Sequence, residues 1–142
     1  MVTLNQLVRN PRVPKQRKVK LLALKFNWNS LKRKYSSYNS PQVLAICEKV
    51  LTDKPKKPNS ANRPIAKVRI KKNKKLVTVY IPGEKHNLQE YSSGLVSGRG
   101  AKDMPGVKYR FIRGYKRGDL EGVKGREQGR SLCGTKKVNK NK

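Results

Sequence analysis

Acidic residues are scarce in this chain. Eight Asp and Glu stand against 36 Lys and Arg, and the first acid is Glu48. A net charge of +28 is self-repulsive, so it implies a polyanionic partner. Nucleic acid comes first, because each neutralised phosphate releases counterions and strengthens binding. Histidine is rarer still. His86 is alone, with no Cys or carboxylate at ligand spacing, so no metal or other cofactor is expected. Cys47 and Cys133 make neither a C-x-x-C pair nor a disulfide framework. No apolar run reaches the roughly 18 residues of a spanning helix, and no membrane partner is expected. Catalytic groupings are missing as well. No Ser–His–Asp or Cys–His arrangement stands out, and "GRGAKDMPG" at 98–106 does not match the phosphate-cradling G-x-x-x-x-G-K-[ST] loop. Asp103 with Glu84 or Glu90 makes a carboxylate pair on paper, but solvated or lysine-paired roles suit these acids better. The expectation is a protein that is not an enzyme and has no small-molecule substrate. The opening "MVTLNQLVRN" has the look of neither a secretory signal nor a transit peptide. An organellar version is therefore expected to be made inside its organelle.

What is present suffices for one modest core, with 35% hydrophobic residues in 142. Residues 1–41 read as a basic N-terminal extension, with ten Lys and Arg in the first 40 positions. Thr3 caps a short helix with Leu4, Leu7 and Val8 on one face. Pro11 and Pro14 then exclude a helix interior. "NPRVPKQRKVK" reads either as an arm along phosphate or as a disordered basic tail. Leu21, Leu24, Trp28, Leu31 and Tyr35 recur at steps of three or four and predict a helix over 21–35. From Val43 the period becomes two. "VLAICEKVL" resembles a strand buried on both faces. "AKVRIK" and "LVTVYI" form a hairpin around the polar turn "KNKK", and "SSGLVS" and "VKYRFI" complete five strands. An all-β fold is expected, a five-stranded oligonucleotide-binding (OB) barrel over 42–113. Residues 114–142, Gly- and Lys-rich without a period, read as a basic C-terminal tail.

Two long connections carry the candidate chemistry. In "TDKPKKPNSANRP" at 52–64, Pro55 and Pro58 fix their own backbone angles and restrict the residues before them. Such a pre-organised tip loses little entropy on contact. Lys54, Lys56 and Lys57 suit phosphate. Asn59 and Ser60 are small enough to enter the shallow minor groove of an RNA helix and bond to 2′-hydroxyls. The second connection is "GRGAKDMPG" before the last strand.

Five motifs occur in one order: "NQLVR" at 5–9, "PKKPNSA" at 55–61, "GEKHNLQE" at 83–90, "KDMPGVKY" at 102–109 and "GTKK" at 134–137. Together they resemble the universal small-subunit ribosomal protein twelve family, over nearly the whole chain. The resemblance implies a barrel near the ribosomal A site and an N-terminal extension threading toward neighbouring small-subunit proteins. It implies that Pro58, Asn59 and Ser60 contact the helix formed by mRNA codon and tRNA anticodon, and the rRNA adenines that monitor it. Lys56 and Lys57 match lysines beside the decoding rRNA. Lys102, Asp103 and Pro105 match the second accuracy loop. Further contacts to small-subunit rRNA are expected from Arg9, Arg12, Lys15, Arg17, Lys18, His86, Asn87, Gln89 and Arg113.

Some positions depart from the family pattern. "SPQVLAIC" at 40–47 stands where many members have a basic "CPQKRGVC", which suggests a contact to protein in place of rRNA. Lys85 replaces a glycine in "GEGHNLQEH", and a lysine resists the left-handed backbone, so a different turn is expected there. Tyr91 replaces the His of that motif. "SGRGA" replaces "RGGRV", which leaves the contact of Arg99 open. The Lys- and Asn-rich wording, extra charge and apolar substitution suggest a mitochondrial member, in the matrix ribosome, with bacterial cytoplasm as the alternative.

Overall fold

The computed structural model of the chain describes residues 2–15 and 19–137. Thr3 caps α1 (Leu4–Arg9) through a capping box: its hydroxyl accepts from the Gln6 amide, and the Gln6 side chain accepts from the Thr3 amide. None of its residues is buried among the described residues; Leu4 and Val8 are exposed and Leu7 is half-buried.

The helix expected over 21–35 is not there. One turn, α2 (Leu22–Lys25), is followed by β1 (Phe26–Asn29) and β2 (Lys34–Ser37), an antiparallel hairpin pairing Trp28 with Tyr35. The apolar spacing suits both structures, and local chemistry decides. Aromatic residues favour the pleated ribbon. The Asn29 carboxamide accepts from the amides of Leu31 and Lys32, fixing a turn where a helix would have continued.

The five expected barrel strands follow in order: β3 (Gln42–Asp53), β4 (Arg63–Ile70), β5 (Leu76–Tyr80), β6 (Ser93–Ser97) and β7 (Tyr109–Ile112). They close as β3-β4-β5-β7-β6, with β3 pairing both β4 and β6 and the single parallel contact between β5 and β7. This is the OB topology. A register shift between Cys47 and Lys49 bends the long β3 so that it serves both neighbours. In β3 one face is fully buried, through Val43, Ala45 and Cys47, while Leu44 and Ile46 are only half-covered. The apolar "SPQVLAIC" segment is thus a barrel wall. Phe111, Ile70, Ile81, Leu120, Val68, Val79 and Val96 fill the interior.

Asn73, inside the supposed polar turn "KNKK", is buried and donates to the carbonyls of Ala23 and Phe26 at 2.8 and 3.2 Å. It moors the base of the hairpin to the barrel. The described C-terminal residues 114–137 do not form a free tail. Leu120 and Val123 are buried, Gly114 and Leu120 share a backbone hydrogen bond, and α3 (Arg130–Cys133) is held near Val123 by a bond to the Cys133 carbonyl. Two buried apolar side chains set among glycines and lysines give no period to read. The boundary expected after Arg113 therefore does not mark the end of the packed structure.

Gly94 faces the fully buried ring of Phe111, and a Cβ there would lie 2.5 Å from a ring carbon. Gly94→Ala should lower folding stability by about 1–3 kcal/mol through overpacking, read as a lower urea midpoint with unchanged slope.

Candidate nucleic-acid interface

Strand register brings the two long connections together. Ile65 pairs with Tyr80 and Tyr80 with Arg110, so the start of β4, the end of β5 and the start of β7 lie side by side. The loop before β4 and the loop before β7 therefore emerge next to each other. Beneath them Ile65, Met104 and Val107 form a small second core, with Leu51, Tyr80 and Ala101 packed against it.

The loops are joined directly. The Lys56 amide donates to the Asp103 carbonyl at 2.9 Å, and Arg63 Nε donates to the Asp103 carboxylate at 3.0 Å. Within the first loop the Asn59 amide closes a turn onto the Lys56 carbonyl. Asp103 is thereby an arginine-paired acid, against the expectation of a solvated or lysine-paired one. Its side chain is 15% exposed and that of Arg63 37%. The pair is worth at most about 1 kcal/mol at such exposure, so its main effect is geometric. Arg63 carries no signal in the sequence that links it to Asp103, 40 residues away.

Lys56, Lys57, Pro58, Asn59, Arg63, Lys102 and Asp103 line one open groove of about 470 Å³. Lys56, Lys57, Asn59, Ser60, Lys102 and Pro105 are exposed. With the Asp103 charge matched by Arg63, the lysines leave the surface strongly positive. Gly100 passes so close to the Val107 carbonyl that a side chain there would strike backbone.

The remaining expected contacts fall elsewhere. Arg9, Arg12 and Lys15 are exposed on the N-terminal segment, and Arg17 and Lys18 lie outside the described residues. Gln89 is exposed in the loop after β5. Arg113 and Asn87, expected at rRNA, both make hydrogen bonds within the chain, and Asn87 stays exposed. Arg113 is buried and donates to the carbonyls of Pro82, Glu84, Lys85 and Glu121 at 3.0, 3.3, 2.7 and 2.9 Å. Asn87 donates to the Asp119 carbonyl and accepts from the Glu121 amide. Together they clasp the 82–87 loop to the C-terminal segment. Lys85, expected to avoid the left-handed region, occupies it at φ 47°. The hydrogen bond from Arg113 to its carbonyl offsets part of that strain.

His86 sits in this clasp with Nδ1 buried and unpartnered. Burial, and then the Arg113 charge, push its pKa below the ordinary value.

The fold is a closed OB-type barrel carrying a cationic two-loop tip, an architecture that some proteins use to bind oligonucleotides. The family model described as Ribosomal protein S12/S23 matches residues 31–140. The chain belongs to that family and is a protein of the small ribosomal subunit.

Two outcomes follow from this geometry. Asp103→Asn should weaken the tie between the loops, raising amide exchange at Lys56 about threefold or more with little change in global stability. For His86, the unfolded chain binds a proton more readily than the folded one. Stability should therefore fall as pH drops through about 6.5 and level off below the depressed folded pKa. Urea midpoints at about pH 7.5 and about pH 5.5 should differ more for the parent protein than for His86→Gln.

Proposed function

We propose that this protein binds small-subunit rRNA at the decoding centre and supports accurate A-site codon–anticodon recognition. The observation that carries the reading is the joining of the two loops by Lys56, Asp103 and Arg63 into one tip. Lys56, Lys57 and Lys102 hold rRNA phosphates. Asn59 and Ser60, small and exposed, meet the minor groove of the helix formed by mRNA and tRNA. Pro55 and Pro58 keep the tip shaped before contact, so binding costs little ordering entropy. Arg9, Arg12 and Lys15 extend the rRNA contact along the arm, and the exposed Leu4 and Val8 of α1 fit a neighbouring ribosomal protein.

The mechanism is positional. No bond is made or broken by this chain, and its role is structural. A hydrogen bond is worth about 1 kcal/mol net. A few bonds that differ between correct and incorrect pairing shift rates about tenfold per 1.4 kcal/mol. A generic cationic binder would need only the charge. The preformed tip, with neutral Asn59 and Ser60 at its front, favours the decoding reading. We place the protein in a mitochondrial ribosome on the Lys- and Asn-rich composition and the apolar β3. Intact masses of the small-subunit proteins would separate this from a bacterial ribosome.

Ser60→Leu and Lys56→Thr should change misreading several-fold in a translation-fidelity reporter while subunits still assemble. Unchanged error rates with normal assembly would sink the decoding role.

A further inference from the structure

The β1–β2 hairpin has no role in the interface described above, and β1 lies outside the family match. Its base is fixed. The Tyr38 amide donates to the Lys25 carbonyl at 2.6 Å, the Ser40 amide to the Leu24 carbonyl at 3.1 Å, and buried Asn73 holds Ala23 and Phe26 from the barrel. The rest projects. Tyr35 and Tyr38 are about half exposed, Trp28 is 39% exposed and Leu31, at the turn, 94%. Trp28 and Tyr35 meet edge to face at 4.9 Å, one ring bracing the other.

Charge decides what such a surface fits. The turn and the start of β2 carry Lys32, Arg33 and Lys34 in succession, and no acid occurs before Glu48. Lysines also crowd the rings. The Lys72 ammonium lies 4.6 Å from the Tyr38 ring centre, that of Lys75 5.2 Å from Tyr35, and that of Lys25 5.4 Å from Phe26. The core of a protein–protein interface is depleted in charge. Aromatic rings interleaved with cations are the surface that binds unpaired nucleic acid, where bases stack and phosphates are neutralised. A two-stranded ribbon is also marginal alone, so an external partner for its exposed faces is physically apt.

We propose that this hairpin is a separate RNA-binding element, in which the Trp28 indole stacks on an unpaired base while Lys32, Arg33 and Lys34 hold adjacent phosphates. The proposal extends the rRNA reading, yet it uses none of the residues of the loop tip.

Trp28 is the only tryptophan in the chain, so its emission reports stacking at this place alone. The full-length protein is titrated with single-stranded oligoadenylate of about 12 nucleotides and with duplex RNA of about the same length. Quenching by the single strand is expected at salt concentrations where the duplex leaves emission unchanged. By anisotropy of labelled RNA, Trp28→Leu should lose about tenfold in single-strand affinity and little for the duplex, and Trp28→Tyr should recover most of the loss. Replacing Lys32, Arg33 and Lys34 by Gln touches no packed residue and should reduce the slope of log affinity against log salt by about two. Unchanged emission at saturation overturns the proposal, as does parental affinity of Trp28→Leu for both RNAs. Parental RNA affinity together with loss of a neighbouring protein from purified subunits overturns it in favour of a protein occupant. Lys56→Thr should keep the quenching, so failure here is distinguishable from failure of the decoding reading.

Discussion

Self-repulsion governs how this chain is built. Eight acids cannot neutralise 36 cations, so their placement matters more than their number. Asp103 ties two loops through Arg63, Glu48 pairs with Arg69, Glu84 with Arg126 and Glu121 with Lys124. Asp53 and Asp119 accept from the amides of Lys54 and Ser93. All of these lie on the barrel or its C-terminal segment. The N-terminal extension has no acid and no buried residue in α1. Charge is compensated where the chain folds on itself, and it is left free where a polyanion can reach it. Most of these pairs are exposed and individually weak. The barrel is held by apolar burial, and the pairs set geometry.

Arg113 shows the same economy in the interior. A buried guanidinium normally calls for a carboxylate. Here it is satisfied by four backbone carbonyls, three from the loop after β5 and one from the C-terminal segment. That arrangement consumes no acid and joins two irregular segments that have little core of their own. It also places a fixed positive charge beside His86, which makes the imidazole harder to protonate.

The parts of the fold that could be read from the sequence were those with a local signature. An apolar run over 43–51 and strand patterning over 66–71, 76–81, 92–97 and 107–112 located all five barrel strands, and proline and glycine marked the two loops. The misreadings share one cause, dependence on a distant partner. The 21–35 stripe fits a helix and a ribbon equally, and the Asn29 turn and the Asn73 anchor decide between them. The internal hydrogen bonds of Arg113 leave no local mark because the carbonyls it serves lie 8 to 31 residues away. Leu120 and Val123 lacked a period because only two apolar positions were needed to dock the segment. At the loop tip the residue types were readable, but the link from Lys56 and Arg63 to Asp103 was not.

That link gives the tip its physical character. A flexible cationic loop would follow any phosphate surface, ordering itself anew on each and losing entropy each time. This tip rests on Ile65, Met104 and Val107, is crossed by a backbone hydrogen bond, and has its acid already paired. Its lysines supply attraction of low selectivity and long reach. On the proposed reading, selectivity comes from shape, from small neutral groups set beside that attraction. A rigid support turns a misfit of an ångström into lost hydrogen bonds, where a soft one would absorb it. The second core and the Asp103 tie therefore act together beneath the tip. On the proposed reading, they set the position from which Asn59 and Ser60 meet the partner.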